Sequence, residues 1–178
     1  MPVHVLRHNF QRPKACAALI ALLLALPGAA PAQERPAQAR PAQERLAVAE
    51  FAFRDTSGEL RDQRAEHAER LAAFAATLRA GTGAVPLDCD LPCSPADPGP
   101  AALTRAAEAA GADLLLIGEF HKVSTLIGWI RIAVLELPGG GTRCERLLSY
   151  RGDTDEAWQR AAEFTLRDLG RYCLDPPG

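Results

Sequence analysis

The sequence predicts an α/β fold: a mixed five-stranded sheet with three helices packed on it, in the order β-α-β-α-β-β-β-α. Three observations carry that reading. Ala112 to Val123 holds Leu114, Leu115, Leu116 and Ile117 in succession, as expected of a central strand buried on both faces. Ile127 to Leu137 and Arg143 to Tyr150 are two further strand-like runs separated by Pro138 and three glycines, which predicts an antiparallel hairpin. Stretches with helical spacing of apolar residues fall between the early strands and after the last one, the order of a mixed sheet rather than a purely parallel one.

The elements follow in chain order. Leu46 to Phe53 is nearly all apolar and predicts a first strand covered on both faces, and Asp55, Thr56, Ser57 and Gly58 then form a polar loop. From Arg64 to Ala80, Leu71, Phe74 and Leu78 make one stripe while Glu66, Glu69, Arg70 and Arg79 lie elsewhere. This is an amphipathic helix with Gly81 at its C-terminal cap and His67 on its solvated side. Val85 to Leu87 allows a short second strand, which the missing N–H of Pro86 confines to an edge. Ser94, Pro95 and Asp97 lead into a small-residue helix from Pro100 to Ala110, ended by Gly111.

In the hairpin, Ile130, Ile132 and Val134 share one face, and Trp129, Ala133 and Leu135 the other. Asp153, with Glu156 three residues on, is placed to cap a last helix whose Trp158, Ala161, Ala162, Thr165, Leu166 and Leu169 share a face. Both tryptophans are expected in the core. Of the sheet edges, 85–87 is the blunted one and the hairpin 127–150 the one available for strand addition.

The chain opens with an export signal. Arg7, Arg12 and Lys14 precede an apolar run from Ala15 to Ala30, and small residues at Ala30 and Ala32 flank Pro31, which favours cleavage after Ala32. The run is too short for a membrane span and is interrupted by Pro27 and Gly28, so no stable membrane insertion is expected after cleavage. Cys16 stands at the start of the apolar run rather than after it, so lipid attachment is not expected. With no twin-arginine pair, the chain is expected to cross unfolded and to reach the periplasm or the exterior without a cofactor loaded in the cytoplasm. The expected organisation is therefore a signal peptide over 1–32, a linker over 33–45 built from Pro-Ala-Gln-Glu-Arg repeats, and one domain over 46–178.

Removing residues 1–32 takes away three of the 20 basic residues and none of the 22 acidic ones, which leaves 17 against 22 and a formal charge of −5. A mildly acidic domain of this size is a poor nucleic-acid binder.

Leu46-Ala-Val-Ala-Glu-Phe51, Ala109-Ala-Gly-Ala-Asp113 running through Leu114 to Gly118 and on to Ser124, and Arg151-Gly-Asp-Thr-Asp-Glu-Ala-Trp158 together resemble a family of secreted bacterial proteins of the domain-of-unknown-function type. More distantly, a first strand, a helix, and an alanine-rich helix running into Gly-Ala-Asp and a hydrophobic strand that ends in Gly-Glu resemble the amino-terminal domain of TolB and the periplasmic domain of CsgG. The resemblance spans Leu46 to Gly170. It implies a non-catalytic binding or assembly module whose partner is a protein of the envelope or periplasm.

Four cysteines follow Ala32: Cys89, Cys93, Cys144 and Cys173, an even number in an oxidising compartment. The strand over 143–150 and the helix after it traverse similar lengths, about 25 Å each, so their far ends meet. That brings Cys173 beside Cys144 and leaves Cys89 to close a tight loop with Cys93. The alternative is a thiol-redox or metal-dependent accessory enzyme, serving a periplasmic oxidation pathway. Three intervening residues in a loop do not match the two of a thioredoxin-type centre, and His67 and His121 are the only histidines past residue 32 to complete a zinc site.

Glu119 and His121 fall on one face near the end of the central strand, with Glu50 on the neighbouring first strand, and these three form the candidate binding site. No nucleophile elbow, phosphate loop, dinucleotide fingerprint or calcium loop occurs, so no catalytic residue, metal ligand or cofactor is named. Arg151-Gly152-Asp153 spells an adhesion tripeptide, but a strand end followed by a helix cap accounts for it.

Overall fold

The computed structural model describes residues 43–89 and 93–175. The segments expected to be a signal peptide, 1–32, and nearly all of the expected linker, 33–45, lie outside them. Five strands and three helices form the mixed α/β architecture: β1 Leu46–Val48, β2 Ala52–Asp55, α1 Arg64–Thr82, α2 Pro100–Ala109, β3 Leu114–Lys122, β4 Ile127–Glu136, β5 Gly141–Arg151 and α3 Asp155–Leu169, followed by a wide helical turn, Gly170–Leu174. β1 and β2 both pair parallel to β3, and β3, β4 and β5 form an antiparallel meander.

The sheet and helix numbers are those the sequence predicts, but the strands are distributed differently. The first run is divided in two. Val48 stands opposite Leu116 and Ala52 opposite Glu119, so four steps on this run face three on β3, and one residue is extra. That bulge reverses the alternation. Leu46 and Val48, then Phe51 and Phe53, all reach the same apolar layer, and Gly118 leaves the room that the Phe51 ring fills. The segment predicted as a second strand contributes a single bridge, Val85 to Ala47. Pro86 has no N–H with which to extend the ladder.

The sheet separates two cores. On one face α1 and α3 lie side by side over Val48, Phe51, Leu116, Phe120, Ile130 and Ile132, with Phe74, Leu78 and Trp158 contributed by the helices. On the other face α2 covers only one end, where Leu103 and Ala107 meet Ala47, Ala49, Leu115 and Leu135.

Three local expectations are corrected by this packing. α1 runs through Gly81 and is capped by Gly83 in the left-handed conformation, φ 64°. Gly81 is small because Leu166 of α3 occupies the space a Cβ would take. His67 is buried, not solvated, because it lies four residues before Leu71 and seven before Phe74, on the same stripe. The cap of α3 is Thr154, whose hydroxyl accepts from the Ala157 N–H, while Asp153 turns inward.

Candidate binding surface

β2, β3, β4 and β5 continue beyond the end of α2, and the face they present there is uncovered. Its floor carries Arg54, Glu119, His121, Trp129, Arg131 and Leu147 around a cleft of about 210 Å³. Trp129 is 40% exposed and Leu147 58%. Trp129 is therefore not the core anchor expected of it. Its register opposite His121 and Ser149 puts it on the open face, while Ile130 beside it enters the core.

The structure brings Glu119 and His121 together on this cleft, joined by Arg54 of β2. Arg54 Nη2 donates to His121 Nδ1 at 3.1 Å, and its Nε lies 3.2 Å from Glu119 Oε1. A guanidinium only donates, so Nδ1 is the acceptor and Nε2 carries the proton of a neutral ring. Nε2–H points at Thr56 Oγ1, 2.7 Å away, and that hydroxyl donates to the Lys122 carbonyl at 3.3 Å. Both ring nitrogens are thus occupied. The cleft offers an aromatic face, an aliphatic side chain and charged groups of both signs, a set suited to holding a partner rather than to nucleophilic attack.

Glu50 does not join this site. It sits at the bulge between β1 and β2, where its carboxylate accepts from Arg79 Nη2 of α1 at 2.7 Å, while Arg79 Nε donates to the Val48 carbonyl. The bulge moves Glu50 toward the helix layer and Arg54 takes the place beside Glu119.

A second polar constellation, missed from the sequence, lies under the helices. Lys122, at the end of β3, is 1% exposed. Its Nζ donates to Asp153 Oδ2 at 2.6 Å, Gln63 Oε1 at 2.7 Å and Glu59 Oε2 at 2.9 Å, which uses all three N–H groups. Burial disfavours the ammonium, but the bonds it donates to the Asp153 and Glu59 carboxylates outweigh that and raise the Lys122 pKa. Asp153 also accepts from His67 Nε2, Arg70 Nη1 and Trp158 Nε1, at 3.1 to 3.2 Å. Burial works against its charge, yet the bonds from Lys122, His67 and Trp158 hold its pKa down at about 2. Burial likewise pushes the nearby Tyr150 phenol up.

This cluster ties the loop before α1, the end of β3 and the turn before α3 at one point. It also holds the Asp153 carboxylate inward against four donors, 13% exposed, so the acid of the adhesion tripeptide is already engaged. The visible signals were His67 in step with Leu71, Phe74 and Leu78, and Lys122 in step with Leu114, Leu116 and Phe120.

Cys89 is joined to Cys93, and Cys144 to Cys173, with Cα atoms 5.8 and 5.5 Å apart. The second bond ties β5 to the turn after α3. Among the described residues, no group of three or more His, Cys, Asp or Glu is placed to hold a metal ion, and no helix is long and apolar enough to cross a membrane.

The fold and this surface define a mixed α/β sheet domain with one face closed by two helices and the other half open. Residues 100–169, from α2 to the end of α3, match the family DUF3280, described as a protein of unknown function (DUF2380). No curated protein matches the sequence. Loosely similar solved structures include the PelC dodecamer from Paraburkholderia phytofirmans, 14% identical over 75% of this chain and 89% of that one, TM-score 0.48. The hypothetical protein CT253 from Chlamydia trachomatis is 14% identical over 74% and 99%, TM-score 0.49. The lipoprotein GNA1162 from Neisseria meningitidis is 12% identical over 71% and 96%, TM-score 0.40.

Proposed function

We propose that the chain is an exported, non-catalytic binding or assembly-accessory module of the bacterial cell envelope, and that it engages a protein partner through the open half of its sheet. The observation that carries this reading is the exposure of Trp129 and Leu147 beside charged groups that are already paired with one another. An aromatic anchor within a polar surround is the usual composition of a protein-binding patch. The basic and apolar start over residues 1–32, with cleavage after Ala32, supplies the export route to the periplasm or beyond. The repeat over 33–45 serves as a solvated tether for the domain that begins at Leu46. The resemblance of the Gly-Ala-Asp strand region to TolB and CsgG domains, read from the sequence alone, is in keeping with a binding or assembly role. The cleft contains no cysteine, so the thiol-redox alternative gains nothing from it.

The test is site-specific photocrosslinking in the periplasm from positions 127 and 149, which flank the cleft. A discrete crosslinked protein is expected, diminished by Trp129→Ala and by Leu147→Glu without change in the level of the chain. Crosslinking that these substitutions leave intact, or that gives no discrete product, overturns the reading.

A further inference from the structure

We infer that β5 pairs antiparallel with β5 of a second copy of this chain, joining two sheets into one. The proposal concerns the sheet edge and stands apart from the ligand of the open face.

The hydrogen-bond pattern shows which backbone groups are unused. Gly152 donates to the Leu126 carbonyl, whereas the Ile127 carbonyl accepts from Val123 and Ser124 on the opposite side. Alternation along β4 then turns Gly128, Ile130 and Ile132 toward β5, opposite Tyr150, Leu148 and Arg146. The N–H and C=O groups of Glu145, Leu147, Ser149 and Arg151 therefore point away from β4. Among the described residues they meet no backbone partner. β5 is eleven residues long and contains no proline. Such an edge is a template for another strand.

What identifies the occupant is the order of side chains along that edge. If two β5 strands run antiparallel about a two-fold axis at Leu148, Glu145 stands opposite Arg151 of the second copy, and Leu147 opposite Ser149. The same pairs recur on the other side of the axis, so the edge is complementary to itself. All four pairs join residues whose backbone groups point outward, as a new ladder requires. Shifting the axis to Leu147 sets Arg143 against Arg151, and shifting it to Ser149 leaves Glu145 beyond the end of the partner strand, so charge selects the register. Arg151 makes no ion pair among the described residues, and the only one Glu145 makes is a long one, 3.7 Å to Arg131.

Apolar exposure brackets the same edge on both sides. Leu147 is on the open face, and Phe164 and Tyr172, 48% and 42% exposed, are on the helix face. Between β5 and α3 runs a groove of about 300 Å³ whose walls include Leu148, Tyr150, Ala157, Ala161 and Phe164. A second β5 added to the sheet lies along that groove, and the two-fold brings the α3 helices of both copies toward each other. An isologous contact of this kind closes as a dimer and leaves no further β5 edge.

The test is sedimentation equilibrium of the mature chain purified from the periplasm, with circular dichroism and urea midpoints as checks of folding. A dimer is expected. Glu145→Arg and Arg151→Glu each set like charges opposite one another twice and are expected to weaken it about tenfold or more. Mixed in equal amounts, the two variants regain dimerisation, because a heterodimer of one with the other restores both opposite-charge pairs. Ser149→Pro removes an outward N–H, which an edge strand tolerates, and abolishes the dimer while the fold persists. A monomeric wild type, a dimer indifferent to the charge reversals, or a mixture that fails to reassociate overturns the proposal. So does a monomer whose periplasmic crosslinked partner is lost in Ser149→Pro, which would give the edge to a strand of another protein.

Discussion

The two faces of the sheet use charge in opposite ways. Beneath α1 and α3, Lys122 is fully buried and Asp153 mostly so, beside His67 and Trp158, and Asp153 gathers donors from four side chains. On the open face, Arg54 with Glu119 and Arg131 with Glu145 are exposed ion pairs at 3.2 and 3.7 Å. Exposed pairs contribute little to stability because water screens them, whereas breaking a buried pair strands a charge in a poor solvent. The closed face therefore holds the fold together. The open face can exchange its internal contacts for a partner's with little loss.

That contrast is easiest to break at Asp153. Asp153→Ala leaves the Lys122 ammonium short of its closest acceptor and strips a partner from His67, Arg70 and Trp158. Urea unfolding should show a loss of about 3 to 5 kcal/mol, the usual result of removing one member of a buried pair. Next in size is the tie between β5 and the turn after α3. Replacing both Cys144 and Cys173 by serine should lower stability by about 3.5 kcal/mol, the loop-entropy value for a bond spanning 29 residues, and reducing the wild type, which also opens the Cys89–Cys93 loop, should cost at least as much.

Acid sharpens the comparison further. Asp153 ionises at about 2 in the fold, below the value of about 3.9 for an unfolded aspartate. Its depressed pKa therefore adds stability that is fully present above about pH 5 and is lost as the pH falls through 2, in all about 2.5 kcal/mol. Urea midpoints measured between pH 5 and 2 should fall in the wild type more steeply than in Asp153→Asn. A parallel decline in both would show that other carboxylates govern the acid limb.

The smallest effect is expected on the open face. Leu147→Ala should change stability by no more than about 0.5 kcal/mol, as for most surface substitutions. Under the proposed function its effect belongs to partner capture, and a large loss of stability would mean that this face is part of the core after all.

The order of helix and strand was legible because periodicity and glycine or proline punctuation are local. Four consecutive aliphatics marked β3, and Pro138 with its glycines marked the β4–β5 turn. The bulge between β1 and β2 was not legible, since Glu50 and Arg54 can change faces without any change in composition. Only the pairing with β3 shows the extra residue, and with it why Arg54 rather than Glu50 accompanies Glu119. Gly81 illustrates the same limit. A glycine after a helical stripe reads as a cap, and the crossing of Leu166 from α3 makes it a contact point instead.

By itself, then, the sequence determined the fold class and the helical and strand segments, because hydrophobic spacing and backbone restrictions act over a few residues. Tertiary structure alone decided which charges are buried and which are offered. Lys122, Asp153 and His67 lie up to 86 positions apart and look like ordinary surface residues in the chain. They meet because strand alternation and the helix stripe aim them inward at one end of the sheet, and a buried ion is tolerated only where such partners converge. Trp129 stays outside for the complementary reason: α2 is ten residues long, and the sheet it covers extends well past its end.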